Sequence, residues 1–144
     1  MSTPRGIRNN NPGNIRWGDE WKGLVPPGKR TDKDFCQFLE SKWGIRALVK
    51  VLLNYRKRPG MPGVGNSGID TVREIISRWA PPNENNTEAY IQSVAKACGV
   101  KPNEAIDITD KSLVLKMVKA IIQHENGVQP YTDAILLAGI GLAF

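Results

Sequence analysis

The sequence predicts a mainly α-helical domain with a small β element. Long segments carry apolar residues every three or four positions, and clusters of Pro and Gly separate them. The first 40 residues instead combine turn residues with short runs that alternate apolar and polar side chains. At 144 residues the chain has the usual length of one domain. We therefore expect residues 1–144 to form a single α+β domain.

The N-terminal stretch predicts a β-hairpin. Residues 15–17 and 34–38 alternate apolar and polar side chains, as half-buried strands do. Gly and Pro residues between these runs supply turns. The two runs are therefore expected to pair as the strands of a small hairpin.

Two helices are predicted in the middle of the chain. The first begins at Ser41 and ends with the three cations at 56–58, before a Pro-Gly pair. Asp70 is expected to cap the second, which stops at Pro81. Glu74 is expected on the outer face of that second helix.

Three further helices complete the prediction. One begins near residues 85–86, where either Asn can serve as its cap. The next has Asp110 or Ser112 as its cap and is stopped by the Asn-Gly pair at 126–127. The last, 132–142, is apolar along its length, and we expect it to be almost wholly buried.

The charge of the chain favours an anionic partner. Twenty Lys and Arg residues against fourteen Asp and Glu residues give a formal net charge of +6. Nucleic acid and the bacterial cell wall are both polyanions that suit this charge. Because no helix-turn-helix spacing, zinc finger or RNA-binding aromatic pattern accompanies the cations, we expect no nucleic-acid binding.

Membrane and secretion signals are not recognised in the sequence. The longest apolar run, 134–144, is shorter than the ~20 residues that a spanning helix needs. The first residues are polar and lack the apolar core of a signal peptide. We therefore expect synthesis in a host cytoplasm without a leader, and no membrane span.

Cysteine and histidine are too scarce for most metal and thiol sites. A closed zinc site needs four ligands, whereas the chain has Cys36, Cys98 and His124. We expect no metal and no cofactor. A Cys–His pair for thiol chemistry and a disulfide between the two cysteines stay open, although buried apolar roles are favoured for both cysteines.

Glu125 is the carboxylate whose position favours catalysis. It follows an apolar segment and lies where the predicted helix ends. The negative end of the helix dipole and partial burial both favour a carboxyl group that keeps its proton. Such a group can protonate a glycosidic oxygen. The alternative is a solvated residue beside the glycine that ends the helix.

Three segments carry a family resemblance. Residues 119–127 resemble the helix end that delivers the catalytic glutamate in lytic transglycosylases and goose-type lysozymes. Residues 86–94 resemble the helix of the same transglycosylases that places a tyrosine beside that glutamate. Residues 10–16, with the Trp and Phe residues that follow, are similar to bacterial cell-wall glucosaminidases and to small phage structural or lytic proteins.

The resemblance implies a lysozyme-like helical domain with a changed segment order. The glutamate segment stands last here and first in those families, which is the order that a circular permutation gives. Glu125 would act as general acid and then general base, and Tyr90 would lie beside it. The resemblance also implies four substrate-binding residues: Asn11, Asn14, Trp17 and Trp79. Turn formation by the asparagines and core packing by the tryptophans are the alternatives.

The function expected from this resemblance is cleavage of bacterial peptidoglycan by a phage protein. A lytic transglycosylase or a muramidase would cut the bond between N-acetylmuramic acid and N-acetylglucosamine. The alternatives are a non-catalytic virion structural or wall-binding protein and a peptidoglycan endopeptidase on the same fold. We expect a monomer whose partners are peptidoglycan and phage tail or virion proteins. It would act at the cell wall, either virion-associated or released through a holin.

Overall fold

The computed structural model describes residues 3–82 and 86–144. This part of the chain is mainly helical, as predicted, and its β structure consists of isolated bridges. A 3₁₀ turn covers Pro27–Lys29. The α-helices of the described residues are α1 (Arg5–Arg8), α2 (Ser41–Tyr55), α3 (Val72–Trp79), α4 (Thr87–Cys98), α5 (Lys111–Asn126) and α6 (Asp133–Ala143).

The chain divides into two compact units. The first consists of residues 1–50 and 121–144, and the second of residues 51–120. Both divisions fall inside helices, one in α2 and one in α5. The prediction of a single lysozyme-like domain for residues 1–144, with its circular permutation, stays a prediction.

The first unit pairs the two N-terminal runs without forming regular strands. Arg16 and Phe35 make an antiparallel bridge, and the Cys36 N–H donates to the Ile15 carbonyl at 2.8 Å. The Asn11 side chain forms hydrogen bonds with the backbone of both runs. Its Nδ2 donates to the carbonyls of Ile15 and Cys36. The predicted pairing is present as isolated bridges, and the described residues form no regular hairpin.

Helix α2 ends three residues earlier than predicted. It stops at Tyr55, and the next N–H groups make tight turn bonds, from Lys57 to the Asn54 carbonyl and from Arg58 to the Tyr55 carbonyl. These bonds span three residues instead of four, so the chain turns before the Pro-Gly pair. The predicted helical cations at 56–58 therefore lie in a turn and leave the last turn of α2 without basic residues.

Helix α3 begins with a capping box, which corrects two predictions. Thr71, not Asp70, is the cap, and its hydroxyl oxygen accepts the Glu74 N–H at 3.2 Å. Glu74 is 2% exposed instead of lying on the outer face. Its carboxylate accepts the Asp70 N–H, the Thr71 hydroxyl and the Met61 N–H. A Ser/Thr cap with Glu three residues later satisfies backbone donors in both directions, and here the same glutamate also holds the preceding loop.

Helices α3 and α4 pack together in the second unit. Arg73 of α3 donates to both carboxylate oxygens of Glu88 on α4, and its Nε donates to Asn103 Oδ1. The guanidinium of Arg73 lowers the pKa of Glu88 to about 2. The ion pair is exposed at Glu88, so it orients the two helices more than it stabilises them.

The ends of α4 and α5 follow the predicted signals. The Asn86 side chain accepts an N–H of the first turn of α4, and the Asp110 side chain accepts the Ser112 N–H at 2.9 Å. Helix α5 ends at Asn126, followed by Gly127 with φ of 75°. The alternative cap at Asn85 lies outside the described residues. The predicted starts of α4 and α5 and the predicted stop of α5 are thus confirmed.

Helix α6 departs from the prediction of near-complete burial. Thr132 caps it, and Leu136 and Ile140 are fully buried in the first unit. Leu137 and Leu142 on the outer face are 45% and 43% exposed. Apolar composition alone cannot tell how many faces of a helix the rest of the chain covers, and here it covers one.

Both cysteines are free thiols in buried positions. Cys36 belongs to the first unit and Cys98 to the second. Burial raises the pKa of each thiol to about 11. Because the thiolate is the reactive form, neither cysteine has the environment of a nucleophile at neutral pH.

We expect the Glu74→Ala variant to lose about 2–4 kcal/mol of unfolding free energy. Three donors would lose a buried acceptor, and each unsatisfied buried group costs about 1–3 kcal/mol before relaxation. Urea unfolding measures the loss. The matched control is Glu20→Ala, at an exposed glutamate, which should change stability by less than about 0.5 kcal/mol. Equal stability of the two variants would contradict the role given to Glu74.

Candidate functional site

The candidate site lies at the C-terminal end of α5 in the first unit. Asn14 Nδ2 donates to Glu125 Oε1 at 3.3 Å, which joins residues 111 positions apart in sequence. Both side chains are half-buried. Next to Glu125, the Asn126 side chain donates to the Pro12 carbonyl at 2.9 Å. Two consecutive residues of the helix end therefore hold the N-terminal loop.

Gly6 lies where three oxygens of the site converge. A methyl carbon at this position would lie 2.5 Å from Asn126 Oδ1, 2.8 Å from Asn14 Oδ1 and 2.9 Å from the Asn11 carbonyl oxygen. Both side-chain oxygens are buried, and within the described residues neither accepts a hydrogen bond. The α-hydrogen of Gly6 points toward them, and such Cα–H···O contacts contribute about 0.5–1 kcal/mol each. A side chain at Gly6 has no room.

The loop that carries Asn14 has an unusual backbone. Asn10 and Asn14 both have φ of 52°, a left-handed conformation that asparagine tolerates better than most residues. Asn11 between them is fully buried, and its amide bonds three backbone groups of residues 15 and 36. The loop is thus fixed from inside, and this orientation directs the Asn14 amide toward Glu125.

An open polar cavity of about 590 Å³ forms a separate feature of the first unit. Arg5, Arg8, Asp32 and Lys33 are among its lining residues, and neither Glu125 nor Asn14 is. Arg5 donates to both oxygens of Asp32, which holds the pKa of that carboxyl well below its usual range. Arg8 and Lys33 are exposed and form no ion pair with the described residues. With three cations against two carboxylates in its lining, the cavity carries one positive charge in excess.

The predicted aromatic and tyrosine residues have structural surroundings. Trp17 packs against the cluster of Cys36 and Phe38, its indole N–H donates to the Asp32 carbonyl, and the Arg30 guanidinium lies 4.1 Å from its ring centroid. Tyr90 is fully buried on α4, and Trp79 is half-buried at the end of α3.

The structure brings together two of the six predicted site residues, Asn14 and Glu125. Asn11 lies in the same loop but uses its amide inside the chain. Tyr90 and Trp79 belong to the second unit, and their convergence with Glu125 stays a prediction. Gly6 and Asn126 were not predicted as site residues. In the sequence, Asn126 is recognised only as a helix stop. No local pattern around Gly6 indicates that three oxygens lie close to it.

The described part of the chain has no evident metal-binding site. No group of three or more His, Cys, Asp or Glu residues there could hold a metal ion. None of the helices in the same residues is both long enough and apolar enough to cross a membrane.

Comparison with known proteins places the chain among phage proteins. No protein-family profile matches it. It is 36% identical over 132 residues to protein P5 of Pseudoalteromonas phage PM2, covering 89% of this chain and 74% of that protein. This chain belongs to the family of phage PM2 protein P5. The relationship to phage proteins predicted from the N-terminal motif is thereby confirmed.

We expect the Gly6→Ala variant of this P5-family chain to lose about 1–3 kcal/mol of stability and to separate Asn14 from Glu125, because the methyl group displaces both amide side chains. Urea unfolding gives the first quantity. The side-chain amide resonance of Asn14 in NMR spectra reports the second.

The control for this variant is Gly28→Ala. Gly28 has no atom within 4 Å of the added carbon and no left-handed backbone. An Asn14 resonance that is unchanged by the substitution at Gly6 would contradict the packing described for the site.

Proposed function

We propose that this chain is a phage protein that binds the bacterial cell wall as a structural or wall-binding component of the virion. Membership of the P5 family of phage proteins is the observation that carries this proposal. A role in attachment requires no turnover and no second catalytic group.

The charge distribution supports binding to an anionic wall. The net charge of +6 attracts any polyanion. The polar cavity of the first unit adds a defined place for it, since Arg8 and Lys33 line one cavity and have no ion-pair partner among the described residues. The acids of that cavity are engaged by Arg5. A carboxylate or phosphate of the wall polymer would balance the one positive charge that the cavity carries in excess.

A second candidate function is cleavage of the glycan, and the Asn14–Glu125 contact favours it. A general acid must be held in a fixed orientation. The Asn14 amide donates to Glu125 Oε1 and so restricts the orientation of this carboxyl group. This candidate function includes a lysozyme-like architecture with a circular permutation. It also includes a role for Tyr90 beside Glu125.

The chemical step of this candidate uses one carboxyl group. Protonated Glu125 would transfer its proton to the glycosidic oxygen, and the bond from that oxygen to the muramic acid anomeric carbon would break. The 6-hydroxyl of the same sugar would then attack the anomeric carbon and return its proton to Glu125, which gives an anhydro product. Attack by water instead would give a hydrolase with a reducing end.

The binding proposal predicts that cations of the cavity control attachment. We expect the Arg8→Gln/Lys33→Gln double variant to sediment with purified peptidoglycan sacculi several-fold less than the unaltered chain. The control is Lys29→Gln/Lys22→Gln, which removes the same charge at exposed lysines outside the cavity. Equal losses in both double variants would mean that the overall net charge, and not the cavity, controls binding to sacculi. Absence of any sedimentation by the unaltered chain would overturn wall binding.

The glycosidase candidate predicts a loss of turbidity of sacculi that depends on Glu125. We expect the Glu125→Gln variant to lose at least about 100-fold in rate, the usual contribution of a general acid, while it still sediments with sacculi. Glu20→Gln is the matched control and should retain the full rate. Lysis at equal rates by all three proteins would remove Glu125 from the mechanism.

Mass spectrometry of the released fragments separates the chemistries. Anhydro sugars indicate a transglycosylase, reducing ends a muramidase, and cleaved stem peptides an endopeptidase. Binding without any released fragment is the result expected for the structural role.

A further inference from the structure

The pair Asn126-Gly127 lies where the end of α5 meets the N-terminal loop, and it is the only Asn-Gly pair in the sequence. Gly127 has a left-handed backbone with φ of 75°, which is sufficient to end the helix. Because glycine has no side chain, its backbone nitrogen has free access to the side-chain amide of the preceding asparagine. The pair therefore has a chemistry of its own in addition to its role as a helix stop.

The reaction available to this pair is deamidation, one reason why asparagine is a thermolabile residue. The Gly127 nitrogen loses its proton and forms a bond to the side-chain carbonyl carbon of Asn126. The bond from that carbon to Nδ2 then breaks, ammonia leaves, and a succinimide ring remains. Water opens the ring at either of its two carbonyl carbons, which gives aspartate or isoaspartate. The only co-reactant is water, and no oxidant or reductant is needed.

The folded structure opposes the first step of this reaction. The Gly127 N–H donates to the Gln123 carbonyl at 2.8 Å, so the attacking nitrogen is held in the last turn of the helix with its proton. The leaving group is also held, because Asn126 Nδ2 donates to the Pro12 and Ile122 carbonyls at 2.9 and 3.0 Å. The ring can therefore form only when the end of α5 opens and the Asn126 side chain leaves the N-terminal loop.

We propose that Asn126 is a modification site, at which deamidation releases the N-terminal loop from the end of α5. Helix ends open at low cost compared with the core of a protein, so the reactive conformation is accessible without global unfolding. An aspartate has no N–H group to donate, and its carboxylate would face the Pro12 and Ile122 carbonyl oxygens. It would also lie next to the carboxyl group of Glu125. The contact that holds the loop is thereby lost, and Asn14 moves away from Glu125 with the loop.

Gly6 supports the coupling between the loop contact and the reaction. A methyl carbon at this position would lie 2.5 Å from Asn126 Oδ1, whereas the Asn-Gly pair itself is unchanged by a substitution there. Alanine at position 6 therefore displaces the Asn126 amide from Pro12 and lowers the free energy needed to reach the reactive conformation. The folded Gly6→Ala variant should consequently deamidate faster than the unaltered chain.

Peptide mapping by mass spectrometry tests the modification site. The full chain is incubated in mildly alkaline buffer, and the peptide that contains Asn126 is followed for the mass change from an NH₂ to an OH group. We expect the folded chain to react many-fold more slowly than the same chain in urea. The folded Gly6→Ala variant should react several-fold faster than the folded unaltered chain, and Gly28→Ala, the matched control, at the unaltered rate.

Three results of this experiment would overturn the proposal. Equal rates in the folded chain and in urea would show that the fold does not control the reaction. No conversion of Asn126 in urea would show that the pair is unreactive. A folded Gly6→Ala variant that reacts at the unaltered rate would separate the reaction from the loop contact, and circular dichroism verifies that this variant is folded.

The Asn126→Asp variant reproduces one product of the reaction and tests its effect. We expect a lower urea midpoint and a shifted side-chain amide resonance of Asn14 in NMR spectra. The matched control is Asn103→Asp, at an exposed asparagine whose Oδ1 accepts a hydrogen bond from Arg73, since aspartate retains this acceptor. It should leave the Asn14 resonance unchanged. An Asn126→Asp variant with the Asn14 resonance of the unaltered chain would contradict the release of the loop.

Discussion

The buried amide of Asn11 is the interaction on which the N-terminal part of the first unit depends. It donates to the carbonyls of Ile15 and Cys36 and accepts the Ile15 N–H at 3.1 Å. These bonds join residues 11–15 to Cys36, beside the bridge between Arg16 and Phe35. Since the Asn14 N–H also donates to the Asn11 carbonyl, the position of Asn11 sets the position of Asn14. The contact between Asn14 and Glu125 therefore depends on a series of hydrogen bonds that begins at the buried Asn11.

The helices were largely predictable because their signals are local. Apolar spacing, an Asn or Asp cap and a left-handed glycine act within a few residues, and they located α4 and α5 correctly. The capping box at Thr71 and Glu74 is equally local, and the pattern of Thr followed three residues later by Glu was present in the sequence. Its recognition would have placed Glu74 correctly. Its further bond to Met61 depends on how the loop returns, which no local pattern records.

The site was predictable in part, for a different physical reason. Helix periodicity pointed to Glu125, and the Asn-rich segment pointed to Asn14, but nothing local indicates that residues 111 positions apart touch. The same side-chain amide also has different roles at two positions of this loop. Asn11 and Asn14 were given the same role from sequence, yet Asn11 bonds its own backbone and Asn14 reaches a carboxylate. Burial separates the two, and burial follows from the fold.

Asparagine at position 14 combines a left-handed backbone with a side chain that contacts Glu125. A φ of 52° costs a residue with a β-carbon free energy that glycine would not lose, and glycine would be the default choice for a turn alone. An asparagine here forgoes that gain. Its amide donates to Glu125 from the strained position, and its oxygen occupies the space beside Gly6. Asparagine at position 14 thus supplies an amide that contacts Glu125, which glycine would lack.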